Sequence, residues 1–500
     1  MFLLVKSLFN RLIGYAGAEK QDFLHLTGNI SMQLNDPTTP DLRVQVSLPS
    51  MSKYLGFAVA GFTGDLTPGT ASAQAANCYY TLAKSIEFTQ SSIGKFKEPL
   101  KKWSAVDKLA IFPRAGKDFN AYYDRQALRF FYEKDPSTSR TIYTADSMDI
   151  VAHELGHGLL DTMRPDFWNV QALEIWAFHE SFGDINAMIT LMHFDKVIEK
   201  ALAETNGDLR KSNTISRLAE ELGSAIYHLT GGRDGSKPDA LRNAVNDFTY
   251  VKPETLPEIA PNDQLAGEPH SFSRVFTGTW YDMFVRIYEK NVSSGINPVD
   301  SVKNARDVSG LYILQAISQC PRTARLMDAL ARNMLLIDKN SGGVHQEILH
   351  DVFKARKILS PSNKLMGNEL TLEQMKSTMG GTDEIVHSRG LTAVIKRDAQ
   401  TIKLSEGMRS LNAISANGFD LNTLELEIPT DSYYEFNDAG KMVYSLVAQE
   451  DEAIEAAKAC ANVIYITEDI GADNKTSWDA IDGKLIRSSI GGCFGFHSAG

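Results

Sequence analysis

Apolar residues recur at helical spacing over residues 216–228, 275–288, 308–319 and 322–336, which predicts amphipathic helices there. Another helix is expected from Ser147 onward. Ser147 stands in a capping position, Met148, Ile150, Val151 and Ala152 follow it, and Gly158-Leu159-Leu160 continues the apolar face. Strand-like runs occupy residues 42–48, 424–428 and 463–467, with a helix-like run over 451–461. Ser360-Pro361-Ser362-Asn363 reads as a linker. The pattern divides the chain into a leader (1–50), a lobe mixing sheet and helix (51–165), a mainly helical lobe (166–356) and a C-terminal module of strands and helix (361–500). The expected class is α+β. No apolar run approaches the roughly 18 residues that a membrane span requires. The first nine residues are mostly apolar and Ala16-Gly17-Ala18 imitates a cleavage site, but Lys6 and Arg11 interrupt the segment. A short amphipathic helix is therefore expected rather than a signal peptide, and location stays open.

Composition narrows the partners. A chain of 500 residues, 43% hydrophobic and 23% charged, has the balance of a globular protein and exceeds one ordinary domain. Its net charge of −11 argues against nucleic acid, because phosphate binding calls for a basic patch. Cys78, Cys320, Cys460 and Cys493 lie far apart and form no CxxC pair, so neither a disulfide framework nor a second metal site is expected.

The candidate chemistry lies in His153-Glu154-Leu155-Gly156-His157, followed by Glu180 and Asp184 in His179-Glu180-Ser181-Phe182-Gly183-Asp184. On a helix, side chains four residues apart share a face, so His153 and His157 can ligate one tetrahedral zinc ion. Glu154 beside them is placed to act as general base toward a water without being a ligand. A third ligand six residues after His157 is excluded, since that position is Met163. Glu180, on a later helix reached through a reversal over 161–169, is the natural candidate. Asp184 would accept the free N–H of one histidine and fix its tautomer.

These motifs resemble the thermolysin-like zinc metallopeptidases, over residues from about 50 to about 355. Residues 72–88 look like that family's first long helix, Phe119-Asn120-Ala121-Tyr122-Tyr123-Asp124 like its substrate-binding edge strand, and 127–132 like the strand after it. Ala240-Leu241-Arg242-Asn243 looks like the substrate-gripping arginine segment, and Glu268-Pro269-His270-Ser271 like the transition-state histidine. The 28 residues from Arg242 to His270 match the family's spacing. The resemblance implies a two-lobed fold with zinc at the floor of the cleft, extended by the C-terminal module. It also implies a metalloendopeptidase that cuts proteins or peptides, with Leu241 and Ile150 favouring bulky apolar side chains after the cut. Zinc would be held by His153, His157 and Glu180. Glu154 would assist attack by the zinc-activated water, His270 would stabilise the oxyanion, and Asp184 would orient His153. Arg242, Asn120 and Ala121 would hold substrate.

Departures from the family are equally specific. The segment from Glu180 to Arg242 carries an insertion, placed at 205–239, and no Tyr occurs between Gly158 and His179 to serve as the usual second oxyanion donor. Leu191 stands eleven residues after Glu180, where the family has an acidic calcium ligand. Asp149 matches another calcium position, so calcium stays possible while the double-calcium site is expected to be absent. The acid orienting His270 is either Asp263 or Glu268. His345 reads as structural, and His179 as lining or capping the cleft. Asn120 also suits a turn, Arg242 a surface ion pair, and His270 a solvated loop. Two other functions compete: an exopeptidase of another gluzincin type, and a binding protein that keeps the fold without turnover.

Overall fold

The computed structural model describes residues 29–47, 55–61, 66–232, 237–258, 260–360, 370–388, 390–403, 414–415, 425–459, 465–466, 477–481 and 484–487. The predicted leader contributes an antiparallel hairpin, β1 (Asn29–Gln33) and β2 (Arg43–Ser47), with Ile30 opposite Val46. The terminal helix expected over the first residues lies outside the described residues, as do Cys460 and Cys493. Cys78 and Cys320 are buried free thiols.

A sheet follows, built from β3 (Gly56–Val59), β4 (Lys108–Phe112), β5 (Ala121–Tyr123) and β6 (Ala127–Phe130), in the order β3-β4-β6-β5. The first three in that order are parallel, and β5 runs antiparallel to β6 at the edge. The tight β5–β6 turn is tied by Asp124, whose Oδ1 accepts from the N–H groups of Gln126 (3.1 Å) and Ala127 (2.7 Å). Helix α1 (Ala71–Ile93) begins at Thr70, whose hydroxyl accepts from Ala73 N–H.

Two consecutive helices form the centre. In α2 (Met148–Met163) every residue but Thr162 is buried, and in α3 (Leu173–Leu191) every residue is. A helix buried on all sides shows no amphipathic stripe, which is why the sequence marked α3 only through its chemistry. The two pack closely because Gly156 and Gly183 face each other: a Cβ on Gly156 would lie 2.8 Å from Gly183 Cα. The helical part continues through α4 (Asp195–Thr205), α5 (Glu220–Thr230), α6 (Pro269–Ser293), α7 (Pro298–Gln319), α8 (Leu326–Asn340) and α9 (Gln346–Ala355).

Several boundaries differ from expectation. Of the predicted helix over 216–228, Arg217–Leu218 is instead a strand paired with Arg242–Asn243, and the helix starts at Glu220. Ala219 separates the two in the left-handed region (φ 54°), held there by its N–H donating to Asp149 Oδ2 at 2.6 Å. The helix predicted over 322–336 starts four residues later, at Leu326, and runs to Asn340. Ser147 occupies the N-cap position of α2 but does not cap it; its hydroxyl turns to Asp36 (2.9 Å) and Asp149 instead. The reversal after α2 begins at Arg164 rather than Asp161 and includes a 3₁₀ turn, Pro165–Phe167.

Among its described residues, the C-terminal part holds two sheets. One is antiparallel, in the order Glu384–Ser388, Leu391–Lys396, Ser432–Asn437, Met442–Leu446. The other is mixed and contains Glu425–Pro429 beside Lys484–Arg487. The mixed sheet grips the reversal between α2 and α3: Gln171 N–H donates to Glu427 O (2.8 Å) and Trp168 Nε1–H to Arg487 O (2.6 Å). The molecule is thus of mixed α+β class, and no helix among the described residues is long and apolar enough to cross a membrane.

Candidate metal centre and active site

Helix α2 presents His153 and His157 on one face, and α3 presents Glu180 against them. His153 Nε2 lies 3.5 Å from Glu180 Oε2, and His157 Nε2 lies 3.7 Å from Glu180 Oε1. All three side chains are buried, and their ligand atoms lie within 4.8 Å of one another, so this group could hold a metal ion. The approach depends on a missing side chain, because a Cβ on Gly183 would stand 2.6 Å from Cε1 of His153. Glu154, next to His153 on α2, is fully buried.

Asp184, one helical turn beyond Glu180, reaches His153 Nδ1 at 3.0 Å. It also accepts from Arg242 Nη2 (2.6 Å) and Nε (3.1 Å), while Arg242 Nη2 lies 3.2 Å from His153 Nδ1. Arg242 comes from the strand paired with Arg217–Leu218, a position that the helix expected over 216–228 concealed. Burial alone would raise the Asp184 carboxyl, but the Arg242 guanidinium and the bond to His153 hold it at about 2. Burial opposes a proton on His153, yet its bonds to Asp184 and Glu180 lift it to about 9. His157 moves the other way, pushed well below the usual histidine range by burial and by the neighbouring His153.

His270 Nε2 approaches Glu180 Oε2, the oxygen that also faces His153, at 3.6 Å. Its Nδ1 meets Glu268 Oε1, so Glu268 rather than Asp263 is the orienting acid. Glu268 also caps α6, accepting from the N–H groups of His270 (2.9 Å) and Ser271 (2.8 Å). Against its burial, His270 is raised to about 9 by the carboxylates of Glu180 and Glu268.

Asn120 and Ala121 lie at the start of the edge strand β5. Ala121 pairs with Phe130, and Asn120 is buried with its Oδ1 lacking a hydrogen-bond partner. The strand is tied to the foot of α2 by Tyr123, whose hydroxyl donates to Asp161 Oδ2 at 3.0 Å. His345, at the start of α9, bonds Tyr312 of α7 (2.9 Å) and Asp338 of α8, remote in sequence from this group. His179 is fully buried beside Trp168 and His157; burial and the guanidiniums of Arg487 and Arg125 press its proton affinity far down.

At the opposite end of α2, Asp149 accepts from Ile150 N–H (2.8 Å) and shares Ser147 with Asp36 of the hairpin turn. Asp36 in turn accepts from Glu221 N–H (3.2 Å), and Glu220 accepts from Asn35 Nδ2 (3.2 Å) and Arg217 Nε (2.5 Å). The sequence drew attention to Asp149 alone. Its partners Asp36 and Glu220 are distant in the chain and carry no motif. Compared with known proteins, the chain matches no family model and no curated protein.

Proposed function

We propose that the chain is a zinc-dependent metalloendopeptidase of thermolysin type, its zinc held by His153, His157 and Glu180. The observation that carries this reading is the convergence of these three side chains, with buried Glu154 adjoining His153 along α2 and His270 Nε2 lying 3.6 Å from Glu180. Two imidazole nitrogens, 3.5 and 3.7 Å from the two oxygens of one carboxylate, suit the tetrahedral coordination that zinc takes with three protein ligands and one open position. When bound, zinc acts as a Lewis acid and lowers the pKa of water.

The remaining roles belong to the chain itself. Glu154, buried without being a ligand, takes a proton from the attacking water and passes it to the departing amine. His270, charged through its contact with Glu268, donates to the oxygen of the scissile carbonyl as that oxygen gains charge. Asp184 fixes the tautomer of His153, leaving Nε2 for the metal. Arg242 supports Asp184, so its part in gripping substrate would be shared with a structural one. Asn120 and Ala121, at the sheet edge, offer backbone to an extended peptide as an added strand. Ile150 and Leu241 would favour bulky apolar side chains after the cut, at about 1–3 kcal/mol of discrimination. The sheet-bearing part before α2 and the helical part after it form the two lobes of this reading, and residues 361–500 an added module.

The test is cleavage of a mixed protein substrate by the zinc-loaded chain beside its Glu154→Gln variant, with product ends read by mass spectrometry. The parent is expected to cut internally before bulky apolar residues. The variant should retain zinc and lose about 10²–10⁴ of the rate. Trimming of terminal residues alone would replace the reading with an exopeptidase. Equal cleavage by both would remove Glu154 from the chemistry.

A further inference from the structure

A cavity lined by no residue of the metal group lies where the C-terminal part meets the last two helices of the helical part. On α8, Arg332, Leu335, Leu336 and Lys339 recur at helical spacing and present one face to it. Glu347 and Asp351, four residues apart on α9, form a second wall. Leu391 and Glu435 of the antiparallel sheet complete a space of about 460 Å³, a size at which small ligands are held.

The charges around this space stop short of one another. Glu435 is only 8% exposed, and its Oε1 accepts from the Tyr433 hydroxyl at 3.0 Å. Its other oxygen has no hydrogen-bond partner among the described residues. Burial raises the Glu435 carboxyl, with Arg332 and Lys339 pulling the other way, yet neither cation reaches it at ion-pair distance. Arg332 lies over the Tyr444 ring and donates to Ser360 O (2.9 Å), while Lys339 has no hydrogen-bond or ion-pair partner among the described residues. Asp351 has Arg286 at 3.5 Å, which leaves Glu347 and Glu435 as the acids facing the space. A buried carboxylate left short of nearby cations is costly, and a ligand that bridges the gap would relieve it. A simple anion there would meet Glu435 and Glu347, and a simple cation would meet Lys339 and Arg332. A molecule carrying both charges answers both walls. Leu335, Leu336 and Leu391 add apolar surface for an aliphatic side chain. We propose that this cavity binds a small zwitterion, an amino acid or short peptide, with its ammonium on Glu435 and its carboxylate on Lys339.

The experiment is calorimetric titration of the full chain in a Glu154→Gln background, where the proposed chemistry cannot consume a probe. The probes are leucine, leucyl-leucine, N-acetyl-leucyl-leucine and leucyl-leucine amide. Leucine or leucyl-leucine should bind saturably at one site, and the tighter of the two identifies the source of the zwitterion. Blocking either end of leucyl-leucine should weaken binding about 10-fold or more, as should Lys339→Met or Glu435→Gln. Lys339→Met keeps the aliphatic stem and Glu435→Gln an acceptor for Tyr433, so both should unfold thermally near the parent; if Glu435→Gln does not fold, Lys339→Met and the blocked probes still decide. Equal affinity for the blocked and free dipeptides overturns the assignment, as does absence of saturable binding of leucine and leucyl-leucine into the millimolar range. Binding that survives a folded Lys339→Met but is lost in His153→Ala places the probe at the metal group and likewise overturns it.

Discussion

The two ends of α2 bury titratable groups equally deeply and treat them in opposite ways. At the metal end, His153, Asp184 and Arg242 alternate in charge, and Asp184 is held down to about 2. At the other end acids face acids. Asp36 is raised by burial, Asp149 is raised to about 6 by burial and by Asp36, and Glu220 is raised to about 7 by burial and by Asp36. Burial alone therefore does not fix the sign of a shift: at Asp184 the Arg242 guanidinium and His153 outweigh it, whereas at Glu220 burial together with Asp36 outweighs Arg217. The metal end pairs opposite charges beside a group that could hold a metal ion, whereas the hairpin end docks residues 29–47 through a set of carboxylates that binds protons as it folds. Within the strongly interacting pair Asp36 and Asp149, the proton belongs to the pair rather than to either residue.

Removing the shared anion at the metal end should have the largest effect. Asp184→Ala removes the buried carboxylate that accepts from Arg242 and meets His153 Nδ1, and urea unfolding should show a loss of about 3–5 kcal/mol. A loss below 1 kcal/mol would mean that solvent or another acid takes over the pairing. Gly183→Ala comes next. Its methyl would overlap the His153 ring, so about 1–3 kcal/mol should be lost and zinc affinity should fall with it, as measured by chelator competition. If zinc affinity survives, the ring can move without leaving the ligand set.

At the acid end the prediction is a pH profile. Asp149 and Glu220 have folded-state values above their ordinary ones of 3.8 and 4.5. The folded state therefore binds more protons than the unfolded one between those limits, and stability present below pH 4 is lost as pH rises through 6 to 7. Unfolding free energies from urea titrations at pH 4.5 and 7.5 should differ by on the order of 2 kcal/mol from this source, with Asp149→Asn flattening the slope. A slope of the opposite sign would show that the hydrogen bonds to Asp36 and Asp149 outweigh their repulsion.

What the sequence made legible follows the same division. His153, Glu154, His157, Glu180 and Asp184 sit at short, periodic spacings on two helices, and the structure brings His153, His157, Glu180 and Asp184 together. The apolar pattern also located α6, which is buried on all sides from Phe272 to Tyr281, and the latter half of α7, which buries a single stripe. The turn from strand to helix at Ala219 was not visible. A left-handed alanine has no signature, and its conformation is held by Asp149, some seventy residues earlier in the chain. The acid cluster was hidden for the same reason, since Asp36, Asp149 and Glu220 meet only through tertiary folding. His179 was read as lining or capping the cleft, and only the structure shows it fully buried with neither ring nitrogen hydrogen-bonded.

The smallest effect expected is also the one that best separates the two ends. Arg140 pairs with Glu221 at 2.5 Å, but its side chain is 68% exposed. Water screens such a pair, so Arg140→Ala should cost no more than about 1 kcal/mol near neutral pH. Glu221 is already raised to about 7 by burial and by Asp36, with Arg140 pulling the other way. Removing the guanidinium should therefore raise Glu221 further and shift the pH-dependent loss of stability upward. A urea series across pH 5 to 8 distinguishes the cases. A uniform loss at every pH would mean that Arg140 contributes by packing alone. A loss larger than that of Asp184→Ala would mean that the hairpin end, like the metal end, is held by opposite charges, and the contrast between the two ends of α2 would collapse.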